Sequence, residues 1–162
     1  MLNNLILASK SKIRKDILRK YEINCDVMPS NVDEDSVKES LATENASPEI
    51  ISKNLAELKA NKISSKIKER IVLGADSVID LNGELISKPL DRKEAMEILK
   101  KLNGREHYLI SSVCISKNGS MIWNYTEKAK LKMKSFSEKE LEQYLSKVSD
   151  QALYAYNVYQ IE

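Results

Sequence analysis

Apolar positions along this chain recur with two periods, and each period predicts an element. Leu5-Ile6-Leu7-Ala8 is a short continuous apolar run, the pattern of a buried strand. Ser9-Lys10-Ser11 turns it into a helix, and either serine hydroxyl suits the N-cap. Arg14, Ile17, Leu18 and Tyr21 follow at i, i+3, i+4 and i+7, which puts them on one inward-leaning face. Ile23 to Met28 predicts a second strand, ended by Pro29. Asn31 to Asn45 is polar, opens on Asp33-Glu34-Asp35, and reads as a loop. Ser47-Pro48 starts a helix with Ile51, Leu55 and Leu58 inward and Lys59 on the border of that face.

Ile71 to Pro89 is the centre of the pattern. Ile71-Val72-Leu73 leads through Gly74-Ala75 to Asp76, and Val78-Ile79 resumes the apolar run. Asn82-Gly83 tolerates positive φ at both positions and closes a hairpin whose return strand carries Leu85, Ile86 and then Lys88-Pro89. A carboxylate inside a β-branched run must be paired or metal-bound if it is buried. Asp91 and Glu94 have capping-box spacing, Ala95, Ile98, Leu99 and Leu102 form a helical stripe, and Asn103-Gly104 stops it. Leu109 to Ile115 predicts a strand, and Asn118-Gly119 a second hairpin turn. Met121, Trp123, Tyr125, Ala129, Leu131 and Met133 alternate with mainly polar residues, the pattern of a long half-buried strand. Ser137 and Glu140 cap a last helix with Leu141, Tyr144, Leu145 and Val148 inward. Strands interleaved with helices predict an α/β fold with a mixed sheet in one domain spanning residues 1–162.

Composition narrows the function. The 162 residues carry 26 basic and 24 acidic side chains, a formal net charge of +2 that argues against a dedicated duplex nucleic-acid binder. Apolar runs are too short to cross a membrane, and Asn3-Asn4 interrupt the start where a secretory signal would lie. Cys25 and Cys114 are far apart, make no metal motif, and read as reduced thiols of a cytoplasmic protein. Only four glycines are present and none are close together, so neither a Walker loop nor a dinucleotide fingerprint can be built. A single histidine, His107, rules out histidine-rich zinc sites; at a strand start it reads as a surface or hydrogen-bonding residue. No GxSxG elbow occurs.

What remains is carboxylates with basic side chains. Glu34, Asp76 and Glu162 are candidate acids, and Arg14, Lys59 and Lys88 candidate cations. Such a set suits a hard divalent cation, phosphates met by Lys and Arg, and a carboxylate that orients or deprotonates water. Read from their own surroundings, Asp76 and Lys88 are more readily a strand-edge carboxylate and a solvated lysine, and Lys59 and Arg14 have snorkelling readings in which the stem covers the core.

Taken in order, five stretches resemble the Maf family of nucleotide pyrophosphatases. They are Leu5 to Arg14 (an SxSxxR signature), Val32-Asp33-Glu34, Leu55 to Ala60 with Lys59 in a KA pair, Gly74 to Asp80 followed by Ser87-Lys88-Pro89, and Leu102 to Arg105 with His107. Tyr159 to Glu162 is similar to a closing motif of one branch of the family. The resemblance implies an elongated, twisted mixed sheet flanked by helices, as in inosine triphosphate pyrophosphatases. It implies hydrolysis of nucleoside triphosphates, modified ones included, to the monophosphate and pyrophosphate, with Mg²⁺ or Mn²⁺, in the cytoplasm and often as a homodimer. Asp76 would be the water-activating base, Ser9, Ser11, Arg14, Lys59 and Lys88 would bind substrate phosphates, and Glu34 would lie near metal or substrate, with Glu34 and Asp76 as metal ligands. Ile13, Ser77 and Glu162 occupy positions that tune base choice. Ile13 and Glu162 depart from the Arg and Gln of the branch that prefers dTTP and UTP, so the base stays open. Family chains usually continue past the closing motif, whereas this sequence stops at Glu162, which leads us to expect a less stable or partner-dependent fold. A non-catalytic partner in cell division and an inactive truncated homologue are the alternative readings.

Overall fold

The computed structural model describes residues 5–159. Its elements run β1 (Leu5–Leu7), α1 (Lys12–Lys20), β2 (Cys25–Val27), α2 (Glu34–Thr43), α3 (Pro48–Ser64), β3 (Ile71–Leu81), β4 (Glu84–Ile86), α4 (Arg92–Leu102), β5 (Glu106–Lys117), β6 (Ser120–Lys132), α5 (Glu138–Lys147) and α6 (Asp150–Tyr156). The strands form one mixed sheet in the order β2-β1-β3-β5-β6, with β4 on β3. β1 pairs in parallel with β2 and β3, and Leu5 aligns with both Cys25 and Ile71. β4 returns antiparallel, Ile86 opposite Ile79. Parallel neighbours require crossovers; α1 makes the one from β1 to β2. The expected α/β class with a mixed sheet is the observed fold. No helix among the described residues is long and apolar enough to cross a membrane.

The turn chemistry follows the sequence. Asn82-Gly83 and Asn118-Gly119 all take positive φ, the geometry that matches a hairpin to strand twist. Ser11, Ser47, Asp91 and Ser137 accept backbone N–H groups as N-caps, and Ser137 with Glu140 completes a capping box. The Glu94 carboxylate takes the Leu90 N–H instead of closing a box on Asp91.

The chain packs as two compact units, one running to Ser77 and taking in Ile110–Glu127, the other made of Val78–Leu109 and the chain from Lys128 onward. The first unit's core joins Ile6, Val72 and Cys114 of the strands, and Ala8 just after β1, to Ala56, Ala60 and Ile63 of α3. The second is richer in large aliphatics, with Ile79, Leu81 and Ile86 against Ala95, Ile98, Leu99 and Leu102 of α4, Leu141 and Leu145 of α5, Leu153 and Val158.

Four expectations are corrected. Residues 34–43 form α2 where a loop was expected, because Asp33 caps the segment by accepting the Ser36 N–H and acids fill the positive first turn. α1 buries no residue: Ile17 and Tyr21 face solvent and Leu18 is half-buried. On α3 the inward row is Ile51, Leu55, Lys59 and Ile63, a strict i+4 series, which leaves Leu58 exposed and sends Lys59 inside. β6 is half-buried on neither face, since Met121, Trp123 and Tyr125 are all exposed at the end of the sheet order.

Candidate active site

Close approach of α3 to β3 builds the site in the first unit. A Cβ added at Gly74 would lie 2.2 Å from the Ala56 carbonyl oxygen and 2.7 Å from the Ala60 nitrogen, so only glycine lets the helix sit there. Alternation along β3 then turns Asp76, two residues on, toward the same helix. Lys59 and Asp76 are 6% and 5% exposed. The Lys59 ammonium donates to Asp76 Oδ1 at 2.7 Å and lies 2.8 Å from Glu34 Oε1. Ser52, fully buried on α3, donates to the Asp76 carbonyl oxygen at 3.4 Å. Asp76 Oδ2 is buried and has no hydrogen-bond partner among the described residues.

Arg14 enters from the first turn of α1. Its Nη1 donates to the Ala75 carbonyl oxygen at 2.8 Å and to Ser9 Oγ at 3.2 Å. Ser9 Oγ also accepts the Ser11 N–H, and Ser11 Oγ caps α1 by accepting the Arg14 N–H. Burial pushes the Arg14 guanidinium below its usual pKa, while the Asp76 and Glu34 carboxylates push it back up; an arginine stays charged throughout. Two cations and two carboxylates therefore meet beside two hydroxyls. Buried charge survives only when paired this way.

A model of the Maf-like protein family matches residues 4–162. The chain belongs to the Maf family. Among its relatives, a nucleoside triphosphate pyrophosphatase of Pelagibacter ubique is 68% identical over 162 residues, all of this chain and 83% of that one. One from Ruegeria sp. is 36% identical over the same 162 residues, covering 81% of its length. Among solved structures, a HAM1 protein from Coxiella burnetii superposes with a TM-score of 0.50 at 15% identity, over 78% of this chain and 69% of that one, which supports the fold alone.

Of the residues that the Maf resemblance assigns to substrate or metal, Ser9, Ser11, Arg14, Glu34, Lys59 and Asp76 come together. Lys59 meets two carboxylates there. Lys88 belongs to the second unit, exposed between β4 and α4. Ile13 is exposed on α1. Ser77 Oγ lies 3.1 Å from Ser111 Oγ, on the opposite face of β3 from Asp76 by strand alternation. Glu162 lies outside the described residues. Ser52 and Gly74 were not singled out, although an isolated glycine in a strand pattern is a signal of close backbone approach.

Of the two roles expected of His107, the hydrogen-bonding one is observed and the surface one is not: the ring is buried and its Nε2 lies 2.8 Å from the Tyr159 hydroxyl. Both line a cavity of about 500 Å³ within the second unit, walled by Leu99, Leu131, Met133, Phe136, Leu141 and Tyr144.

The donor set can be tested against a divalent cation. Among the described residues no three acidic, His or Cys side chains converge as an all-protein metal site. A Mg²⁺-like ion needs only one or two carboxylates when phosphates and water complete its shell. Glu34 and Asp76 supply two carboxylates that share one lysine, and Asp76 Oδ2 is an acceptor left unpaired. These residues fit.

Proposed function

We propose that this Maf-family chain is a nucleoside triphosphate pyrophosphatase that clears aberrant or modified nucleotides from the cytoplasm, with a homodimer as its expected assembly. The observation that carries the reading is Asp76: a buried carboxylate with one oxygen held by Lys59 and the other unpaired. Held this way, it stays oriented with proton-accepting capacity unspent. Water gives its proton to Asp76, its oxygen adds to phosphorus, and the bond between the α- and β-phosphates breaks. Nucleoside monophosphate and pyrophosphate leave, and the net reaction releases one proton.

Arg14 and the hydroxyls of Ser9 and Ser11 would meet the phosphates beside the N-terminus of α1, where backbone N–H groups already favour anions. Lys88 is a further phosphate contact in this reading. Lys59 holds Asp76 and Glu34 in register and offsets the charge of an approaching triphosphate. Glu34 and Asp76 would hold Mg²⁺ or Mn²⁺, which would supply charge neutralisation on the phosphates. Ile13, Ser77 and Glu162 would tune the base.

The test is pyrophosphate release from a panel of standard and modified nucleoside triphosphates with Mg²⁺. Release that disappears in Asp76→Asn is expected. No release from any nucleotide would overturn the assignment. The cell-division alternative has no comparable geometric support.

A further inference from the structure

Ser52 lies outside every stretch that carries the Maf resemblance, on the inward side of α3 and fully buried. A buried hydroxyl is costly unless it is bonded, and a serine inside a helix often returns its proton to the carbonyl four residues back. Here the hydroxyl leaves its own helix. It donates to the Asp76 carbonyl oxygen at 3.4 Å, across 24 positions of sequence. Ser52, Ala56, Lys59 and Ala60 stand at i, i+4, i+7 and i+8, one face of the helix. That face meets β3 again at two points. Ala56 and Ala60 are what a Cβ at Gly74 would strike, and Lys59 holds Asp76 Oδ1 at 2.7 Å. From α1, Arg14 donates to the Ala75 carbonyl oxygen at 2.8 Å. Both peptide carbonyls that flank the Asp76 Cα are therefore held by side chains from outside the strand.

We propose that Ser52 is a positioning residue for the hydrolysis, resting on the reading of Asp76 as the water-activating base. A carboxylate on a short side chain turns on two torsions. Lys59 fixes one oxygen, and the two carbonyl contacts fix the backbone from which the side chain starts. Together they leave the unpaired Oδ2 a single direction. The one proton of Ser52 goes to the backbone carbonyl, so the residue acts through Asp76 and not on the substrate. Lys59 alone does not supply the restraint, because its ammonium is shared with Glu34 and sits on a flexible stem. A general base must come within about 2.6–3.2 Å of the proton it takes, and a displacement of about 1 Å can cost about 10²-fold in rate. Loss of one contact to a backbone that other groups still hold is a smaller disturbance, and the expected loss is about tenfold. Stability responds less, since the close approach at Gly74 keeps α3 against β3.

The test is steady-state pyrophosphate release with Mg²⁺ by the full chain and by its Ser52→Thr, Ser52→Val and Ser52→Ala variants. Threonine and valine have nearly the same shape and differ by the hydroxyl, so their ratio separates the hydrogen bond from any packing change. Ser52→Thr should keep a kcat about tenfold above that of Ser52→Val, with KM within about twofold. Ser52→Ala, which adds no volume, should lose about the same tenfold against the parent, and it carries the comparison alone should the larger side chains unfold the chain. Ile63→Val trims the core elsewhere on α3; it should lower the unfolding midpoint and leave kcat unchanged. The Ser52→Thr and Ser52→Val pair is also built on Asp76→Asn and read by single turnover with enzyme in excess. There the ratio should collapse to about one, because no base is left to aim. Equal kcat for the pair in the parent background, or for Ser52→Ala and the parent, overturns the proposal. So does a ratio that survives Asp76→Asn, or an Ile63→Val variant that loses as much kcat as Ser52→Val. A parent that hydrolyses no nucleoside triphosphate overturns the assignment of Asp76 and this role with it, whereas an active parent with equal variants overturns the role alone.

Discussion

The two units differ in what they bury. The first places a lysine and an aspartate beside a core that mixes Ile6, Ile63 and Val72 with the small residues Ala56, Ala60 and Cys114. The second packs leucines and isoleucines and carries an apolar cavity whose buried polar contact is the pair of His107 and Tyr159. Burying an ion pair is close to neutral for stability and costly when half of it is removed. Burying aliphatic side chains contributes about 1.5–3 kcal/mol each. The contrast assigns chemistry to the first unit and stability to the second, and substitutions can separate the two.

The largest effect should come from Asp76→Asn. It keeps shape and removes the proton acceptor, and loss of a general base typically costs about 10²–10⁴ in rate. Steady-state kinetics should show that loss in kcat, and because Lys59 keeps Glu34 as a partner, thermal unfolding should change less than when the lysine itself is removed. A variant retaining more than a tenth of the activity would mean that another group takes the proton.

Lys59→Met comes next. It strands a buried Asp76 carboxylate, a change worth about 3–5 kcal/mol of stability. Adding Asp76→Leu to it removes the stranded charge and should restore stability but not hydrolysis. Denaturant unfolding of the single and double variants checks this. If the double variant is no more stable than the single, the pair is not what sets the cost.

Leu99→Ala is the counterpart in the second unit. Leu99 is buried on α4, and truncation of such a leucine costs about 2–5 kcal/mol. Activity per folded molecule should stay near that of the parent. Hydrogen exchange should show lost protection in residues 78–109 and beyond 128 first. Lys59→Met should loosen the amides before residue 78 instead. Equal loosening everywhere in both variants would dissolve the distinction between the units.

Local signals made much of the fold legible. Asn82-Gly83, the caps at Ser47 and Ser137, and the stripe from Ala95 to Leu102 each depend on neighbours within a few residues. α2 was hidden because its acidic residues read as loop, and only the Asp33 cap and the Val37–Leu41 spacing hinted at a helix. The site was legible as a list of residues through family motifs, not as a geometry. Lys59 reaches Asp76 across 17 positions and Arg14 reaches the Ala75 carbonyl across 61, and no spacing rule contains either. The exposure of β6 was unreadable for a related reason. Alternation shows that a strand has two faces, while only the sheet order shows that β6 ends the sheet among the described residues.

A smaller effect concerns pH. Burial pushes the Tyr159 phenol from an ordinary value near 10 up to about 12. A phenol whose pKa is raised by folding contributes full stability below its unfolded pKa. Between pH of about 10 and 12 the unfolded chain ionises first, so stability falls across that window. The melting temperature should drop there more steeply in the parent than in Tyr159→Phe, with no difference in slope near neutrality. Parallel slopes in the alkaline range would place the tyrosine in water.

The smallest expected change is the most diagnostic of how the second unit is held together. Asn157 has φ of 71° and ψ of −161°, backbone that is otherwise almost confined to glycine and costs about 1–3 kcal/mol for other residues. Its side chain answers that strain. Nδ2 donates to the Ser87 carbonyl at 3.1 Å and Oδ1 accepts the Val158 N–H at 2.8 Å, each bond worth about 1 kcal/mol. Asn157→Gly relieves the strain and loses the bonds, so the two terms nearly cancel and the unfolding midpoint should barely move. Asn157→Ala keeps the strain and loses the bonds, and should be less stable than either. The order Asn ≈ Gly > Ala shows that the side chain compensates the backbone. The order Gly > Asn ≈ Ala would show instead that the hydrogen bonds contribute nothing, leaving the backbone before Val158 strained without compensation.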